Sequence, residues 1–121
     1  QARRTSPAYR LAYALRKYGR RNPQRALEIA EPVIDANVQD DPDVLLSIAR
    51  IYRRVGNLRK ARDFAKASLA VTPNIKNVAF TKAILEELDP SAAPDVIEAR
   101  LIRCNLNRKA KIQKFLAMVP A

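Results

Sequence analysis

Between Asp43 and Pro73 the apolar residues fall at spacings that leave room for one local architecture. The anchors run Leu45-x2-Ile48-Ala49-x2-Tyr52, then Gly56, then Ala61-x3-Ala65, then Pro73. Residues three and four apart share one face of a helix, so each run predicts a helix with one buried stripe. Gly56 closes the first run and Pro73 follows the second, at the places where helices end. The segment reads as helix, turn, helix.

Proline punctuation extends this reading along the chain. Ser6-Pro7, Asn22-Pro23 and Asp41-Pro42 each set a capping side chain before a proline at the first helical position. There the missing N–H costs nothing and the side-chain oxygen accepts an orphan donor. Ala93-Pro94-Asp95 opens another helix with a poorer cap, and Gly19, Gly56, Pro73 and Pro90 follow helix ends. Six helices are predicted at 7–18, 23–36, 42–55, 58–71, 75–88 and 94–105, and a seventh at 108–119 closes the chain. Pro32 falls inside the second and is expected to kink it or end it early, because it removes a backbone hydrogen bond and crowds the preceding turn.

The unit repeats. Ala8-x2-Leu11-Ala12-x2-Leu15, Gly19 and Ala26-x3-Ala30 restate the anchors of residues 42–75. A third pair is weaker: Ala79, Ala83 and Ala99 keep the spacing, but Lys82 and Glu86 stand where large apolar residues belong and Pro90 stands where the turn glycine does. Amphipathic sets still close the chain, with Ile97, Leu101 and Cys104 on one face and Ile112, Phe115, Leu116 and Val119 on another. These anchors resemble the tetratricopeptide (TPR) repeat, a 34-residue helix pair whose large and small residues interlock. The resemblance is specific over residues 42–75, moderate over 7–37 and weak beyond. It implies an all-α fold, a right-handed solenoid of about three antiparallel TPR-like pairs with a closing helix, forming one domain over residues 1–121. It also implies a scaffold for protein–protein interaction, not an enzyme.

Charge is the second constraint. Net charge is +11, from 23 basic and 12 acidic residues, and it is banded. Residues 1–25 carry +8, 26–49 carry −6, 50–82 carry +8, 83–99 carry −5 and 100–121 carry +6. Excess positive charge speeds association with anionic partners. Fifteen of the bases are Arg, which suits planar contacts to carboxylate or phosphate.

Catalytic chemistry finds little to work with. The chain has no His, one Cys and two Gly, so it lacks an imidazole base, a thiolate zinc cluster and a glycine-rich phosphate loop. Cys104 reads as a small helix residue turned inward. Asp40-Asp41 and Glu86-Glu87 are adjacent on the chain, so they point apart on a helix and read as solvated charge, with Asp41 also offsetting a helix dipole. No cofactor and no metal site is expected. No apolar run reaches the roughly 18 residues of a membrane span.

In the TPR family the first helix of each pair lines a concave groove. By position the resemblance implies a partner-binding groove of Tyr9, Tyr13, Arg16 and Lys17, of Leu46, Arg50, Arg53 and Arg54, and of Asn77, Phe80 and Ile84. The Lys and two Asn with which some members grip a terminal carboxylate are missing, since Tyr9, Tyr13 and Ser47 stand there. The expected partner is an acidic protein or peptide. Nucleic acid bound through the same bases is one alternative. An arm of a larger bacterial enzyme, such as a polysaccharide glycosyltransferase holding an anionic polysaccharide, is another. The start at Gln1 and the Arg- and Ala-rich composition suit that last reading. The basic face also admits a plain solvated role, and Arg108-Lys109-Ala110-Lys111 with Lys114 admits either a solubilising cap or an anionic membrane surface. A monomer in the cytoplasm is the expected state.

Overall fold

A computed structural model describes residues 7–34, 41–104 and 109–119, with the side chains of 7–12 and 33 outside the description. Seven helices occur among the described residues, with no strand: α1 (Pro7–Tyr18), α2 (Pro23–Ile34), α3 (Pro42–Arg54), α4 (Leu58–Val71), α5 (Ile75–Leu88), α6 (Pro94–Ile102) and α7 (Lys109–Leu116). The all-helical expectation holds, and each helix starts within a residue of its predicted position. Each helix packs on the next in sequence, while α1 also meets α3 and α5 also meets α7.

Local chemistry sets these boundaries. Asp41 Oδ1 accepts from the backbone N–H groups of Asp43 and Val44 at 3.0 and 3.2 Å, capping α3 as expected. Asn22 does the same for α2, accepting from Arg25 N at 3.0 Å. Ala93 makes no side-chain cap at α6, again as its residue type requires. The Ser6 cap lies outside the described residues. Gly56 ends α3 with φ 89°, and the N–H groups of Gly56 and Asn57 return to the carbonyls of Arg53 and Tyr52 at 3.1 and 2.9 Å. That is a Schellman motif, which glycine alone enters without steric cost. Asn57 then caps α4 by accepting from Lys60 N at 3.1 Å. α2 runs on past Pro32 to Ile34, and residues 35 and 36 lie outside the description.

The anchors of the central unit are interior except Gly56, which is exposed in its turn. Leu45, Ile48, Ala49, Tyr52, Ala61, Ala65 and Pro73 are buried. Ala at 49, 61 and 65 lets the helices approach closely, and Tyr52 stacks on Phe64 with centroids 5.5 Å apart. One apolar cluster joins α2, α3, α4 and α5 through Ala26, Leu27, Ala30, Ile48, Ile51, Tyr52, Ala61 and Ile84. A second joins Leu69, Val78, Leu85, Ile97 and Leu101, and Cys104, Phe115, Leu116 and Val119 pack on it. Ile112 is fully buried, so α7 spends its apolar stripe on the protein interior.

α5 departs from the expected register by one residue. The repeat spacing assigns the interior to positions 79, 82 and 86, where Lys82 and Glu86 fit poorly; Val78, Thr81 and Leu85 are buried instead. The helix starts at the expected residue, and the cap there holds Asn77 inward. Asn74 Oδ1 accepts from Asn77 N and Asn77 Oδ1 accepts from Asn74 N, both at 2.8 Å, a reciprocal capping box. One residue of shift turns a helix by about 100°. Asn77 and Ile84, expected on the groove, therefore point inward and are fully buried.

Gly19 carries a tight approach of its own. A Cβ added there would sit 2.3 Å from the carbonyl oxygen of Leu15, inside any tolerable contact. Gly19→Ala is expected to cost about 2 kcal/mol, since backbone must move to accommodate it. Urea unfolding followed by circular dichroism measures this, and a variant as stable as the wild type would show the turn to be indifferent to glycine.

Candidate binding cleft

The C-terminal half of α1 and the exposed stripe of α3 enclose an open cleft of about 450 Å³. Asp43, Ser47, Arg50 and Arg54 follow one another at helical spacing along α3 and form one wall. Arg16 and Arg20 face them from α1 and the turn after it, and Leu15 and Val44 supply apolar surface, with Ile51 buried behind the wall. Four guanidinium groups thus share the cleft with one carboxylate, Asp43.

Their commitments differ. Arg54 Nη1 donates to the Gly19 carbonyl at 2.6 Å, so Arg54 ties the end of α3 to the end of α1. The contact suits a cation, because exposed carbonyls at a helix C-terminus carry partial negative charge. Arg16, Arg20 and Arg50 make no ion pair or side-chain hydrogen bond among the described residues. They are the uncommitted charge of the cleft.

Other expected groove residues divide. Arg53 is drawn away, pairing with Glu87 of α5, and its guanidinium carbon lies 5.9 Å from the centre of the Phe80 ring. Phe80 is half-buried against the first apolar cluster and forms the edge of this bridge. Tyr13 and Lys17 flank the cleft without lining it: Lys17 Nζ donates to Tyr13 Oη at 2.9 Å. That hydrogen bond, with the nearby Tyr18 adding, holds the Lys17 ammonium above its ordinary lysine value. Tyr9's side chain lies outside the described residues. Leu46 is a correction: only 2% exposed, it belongs to the interior and offers a partner nothing. Asn77 and Ile84 are corrected likewise, for the register reason above.

Reading by family position passed over Arg20 and Asp43. Arg20 lies in the turn, but it stands four residues after Arg16, so it continues the same face past the helix end. That spacing was available in the sequence.

Among the described residues no group of three or more His, Cys, Asp or Glu side chains is placed to hold a metal ion. No helix among them is long and apolar enough to cross a membrane. Cys104 is half-buried, its Sγ 3.6 Å from the Arg100 carbonyl, and burial pushes its thiol pKa up against a weaker opposing pull from Lys66. A thiol so placed is a poor nucleophile. Compared with protein-family models, curated proteins and solved structures, the chain matches none.

Proposed function

We propose that this chain is a non-catalytic docking module of the TPR type, and that it holds an acidic, extended protein segment in the cleft between α1 and α3. The observation that carries the reading is the set of three uncommitted guanidinium groups, Arg16, Arg20 and Arg50, over an apolar floor. Arginine meets carboxylates with paired, charge-assisted hydrogen bonds, and an open cleft between two helices suits a chain more than a compact ligand.

Repeat architecture has its own support. Arg54 reaches Gly19 across 35 residues and Arg53 reaches Glu87 across 34, spacings close to the repeat period. Together with the contacts of α1 with α3 and of α5 with α7, these suit a stack whose alternate helices share one layer. In such a stack α1, α3, α5 and α7 line one side. The one-residue register change brings Lys76, Glu86 and Glu87 to the exposed surface of α5. An acidic segment therefore gains from α1 and α3 and meets like charge near the end of α5.

A test compares a matched acidic peptide, single-stranded RNA and an anionic polysaccharide by fluorescence anisotropy at two salt concentrations. The acidic peptide is expected to bind selectively and to keep most of its affinity at the higher salt. Uniform weak binding of all three, removed alike by salt, marks generic polyanion attraction and contradicts the proposal. Tight binding of the polysaccharide alone favours the larger-enzyme reading instead.

A further inference from the structure

We infer that a second anion site, for a small phosphate-bearing molecule, lies between α4, α5 and α6. Arg62 and Lys66, one turn apart on α4, face Arg100 and Arg103 at the end of α6, and Leu85 and Leu88 of α5 lie between them. None of these six residues lines the α1–α3 cleft.

Charge and size together select the ligand. Asp63 Oδ1 accepts from Arg62 Nε at 3.1 Å and lies 3.1 Å from its Nη2 in an ion pair, and Asp89 Oδ2 accepts from Arg100 Nη1 at 3.2 Å. Each carboxylate fixes one edge of its guanidinium and leaves other donors of the five open. Lys66 and Arg103 make no ion pair or side-chain hydrogen bond among the described residues. Four cations against two carboxylates leave the site short of two negative charges, and a phosphomonoester brings about −1.5 to −2 at neutral pH. Its volume, about 300 Å³, lies at the lower edge of small-molecule sites. Leu88, half-buried, gives the floor an apolar edge against which a short hydrocarbon or aromatic group loses water, while Leu85 belongs to the interior. The geometry thus favours a phosphate carrying such a group over phosphate alone.

Phenyl phosphate is the probe, titrated calorimetrically into the full chain, with inorganic phosphate as comparison. Phenyl phosphate is expected to bind more tightly than inorganic phosphate. Lys66→Ala/Arg103→Ala is expected to weaken it at least about tenfold, because two charge-assisted contacts disappear. Arg103 is exposed and Lys66 half-buried, and neither makes an ion pair or side-chain hydrogen bond among the described residues, so the double variant should fold, which circular dichroism checks. Arg16→Ala/Arg50→Ala removes the same charge from the other cleft and is expected to leave phenyl phosphate affinity unchanged. Absence of binding at millimolar probe, or equal losses in the two double variants, would overturn the assignment.

Discussion

Asn77→Ala is expected to lower the stability of the chain by about 3 kcal/mol, one of the largest effects of any single substitution here. The side chain is fully buried and has every partner it needs. Its Nδ2 donates to Ser68 Oγ at 3.0 Å and to the Thr72 carbonyl at 2.9 Å, while Oδ1 accepts from Asn74 N at 2.8 Å. Ser68 Oγ donates onward to the Pro42 carbonyl at 2.7 Å, so the network ties the starts of α3 and α5 to the end of α4. Alanine removes three hydrogen bonds at once and leaves buried polar atoms behind, which costs more than the bonds' net worth. Urea unfolding followed by circular dichroism reads the loss, and the melting temperature should fall by roughly 10 °C. A change below about 0.5 kcal/mol is what an exposed groove residue gives, and it would contradict the inward placement.

Ile84→Ala tests the same register from the apolar side. Ile84 is fully buried in the cluster of Ile48, Ile51 and Tyr52, where α5 meets α3. Removing three carbons from such a site costs about 2–5 kcal/mol, through lost burial and the cavity left behind. In the register read from family position, Ile84 faces a groove and truncation affects binding, with stability almost untouched. The two substitutions share a prediction, yet act through different physics, polar satisfaction in one and packing in the other. A loss in both fixes the rotation of α5. Retained stability in both places α5 one residue further round.

What the sequence revealed, and what it hid, follows from how local the determinants are. Asp41, Asn22 and Gly56 act on backbone within a few residues, so the starts of α2, α3 and α4 and the end of α3 could be read from caps and turns. Leu45, Ile48, Tyr52, Ala61 and Ala65 repeat at helical spacing with no competing pattern, so their burial was legible too. α5 was harder. Its start at Ile75 matches the expected position, but its polar interior residues, Asn77 and Thr81, interrupt the apolar stripe, and the reciprocal Asn74–Asn77 bonds hold Asn77 inward. Periodicity carried over from the central unit then ran one residue out of step. The basic surface was legible as charge but not as commitment. Arg50, Arg53 and Arg54 look alike in sequence, yet Arg54 holds the Gly19 carbonyl, Arg53 holds Glu87 and Arg50 alone of the three stays open. Those contacts span 35 and 34 residues, so they depend on how the helices stack.

The docking proposal is tested most directly by a charge-matched comparison. Affinity for a short acidic peptide is measured for the wild type, for Arg16→Ala/Arg50→Ala in the cleft and for Lys109→Ala/Lys111→Ala on α7. Each double variant removes two positive charges from exposed positions, so a generic attraction falls equally in both. A docking cleft between α1 and α3 predicts at least about a tenfold loss for the arginine pair and little change for the lysine pair. Equal losses would contradict the cleft as the site and leave net charge as the cause.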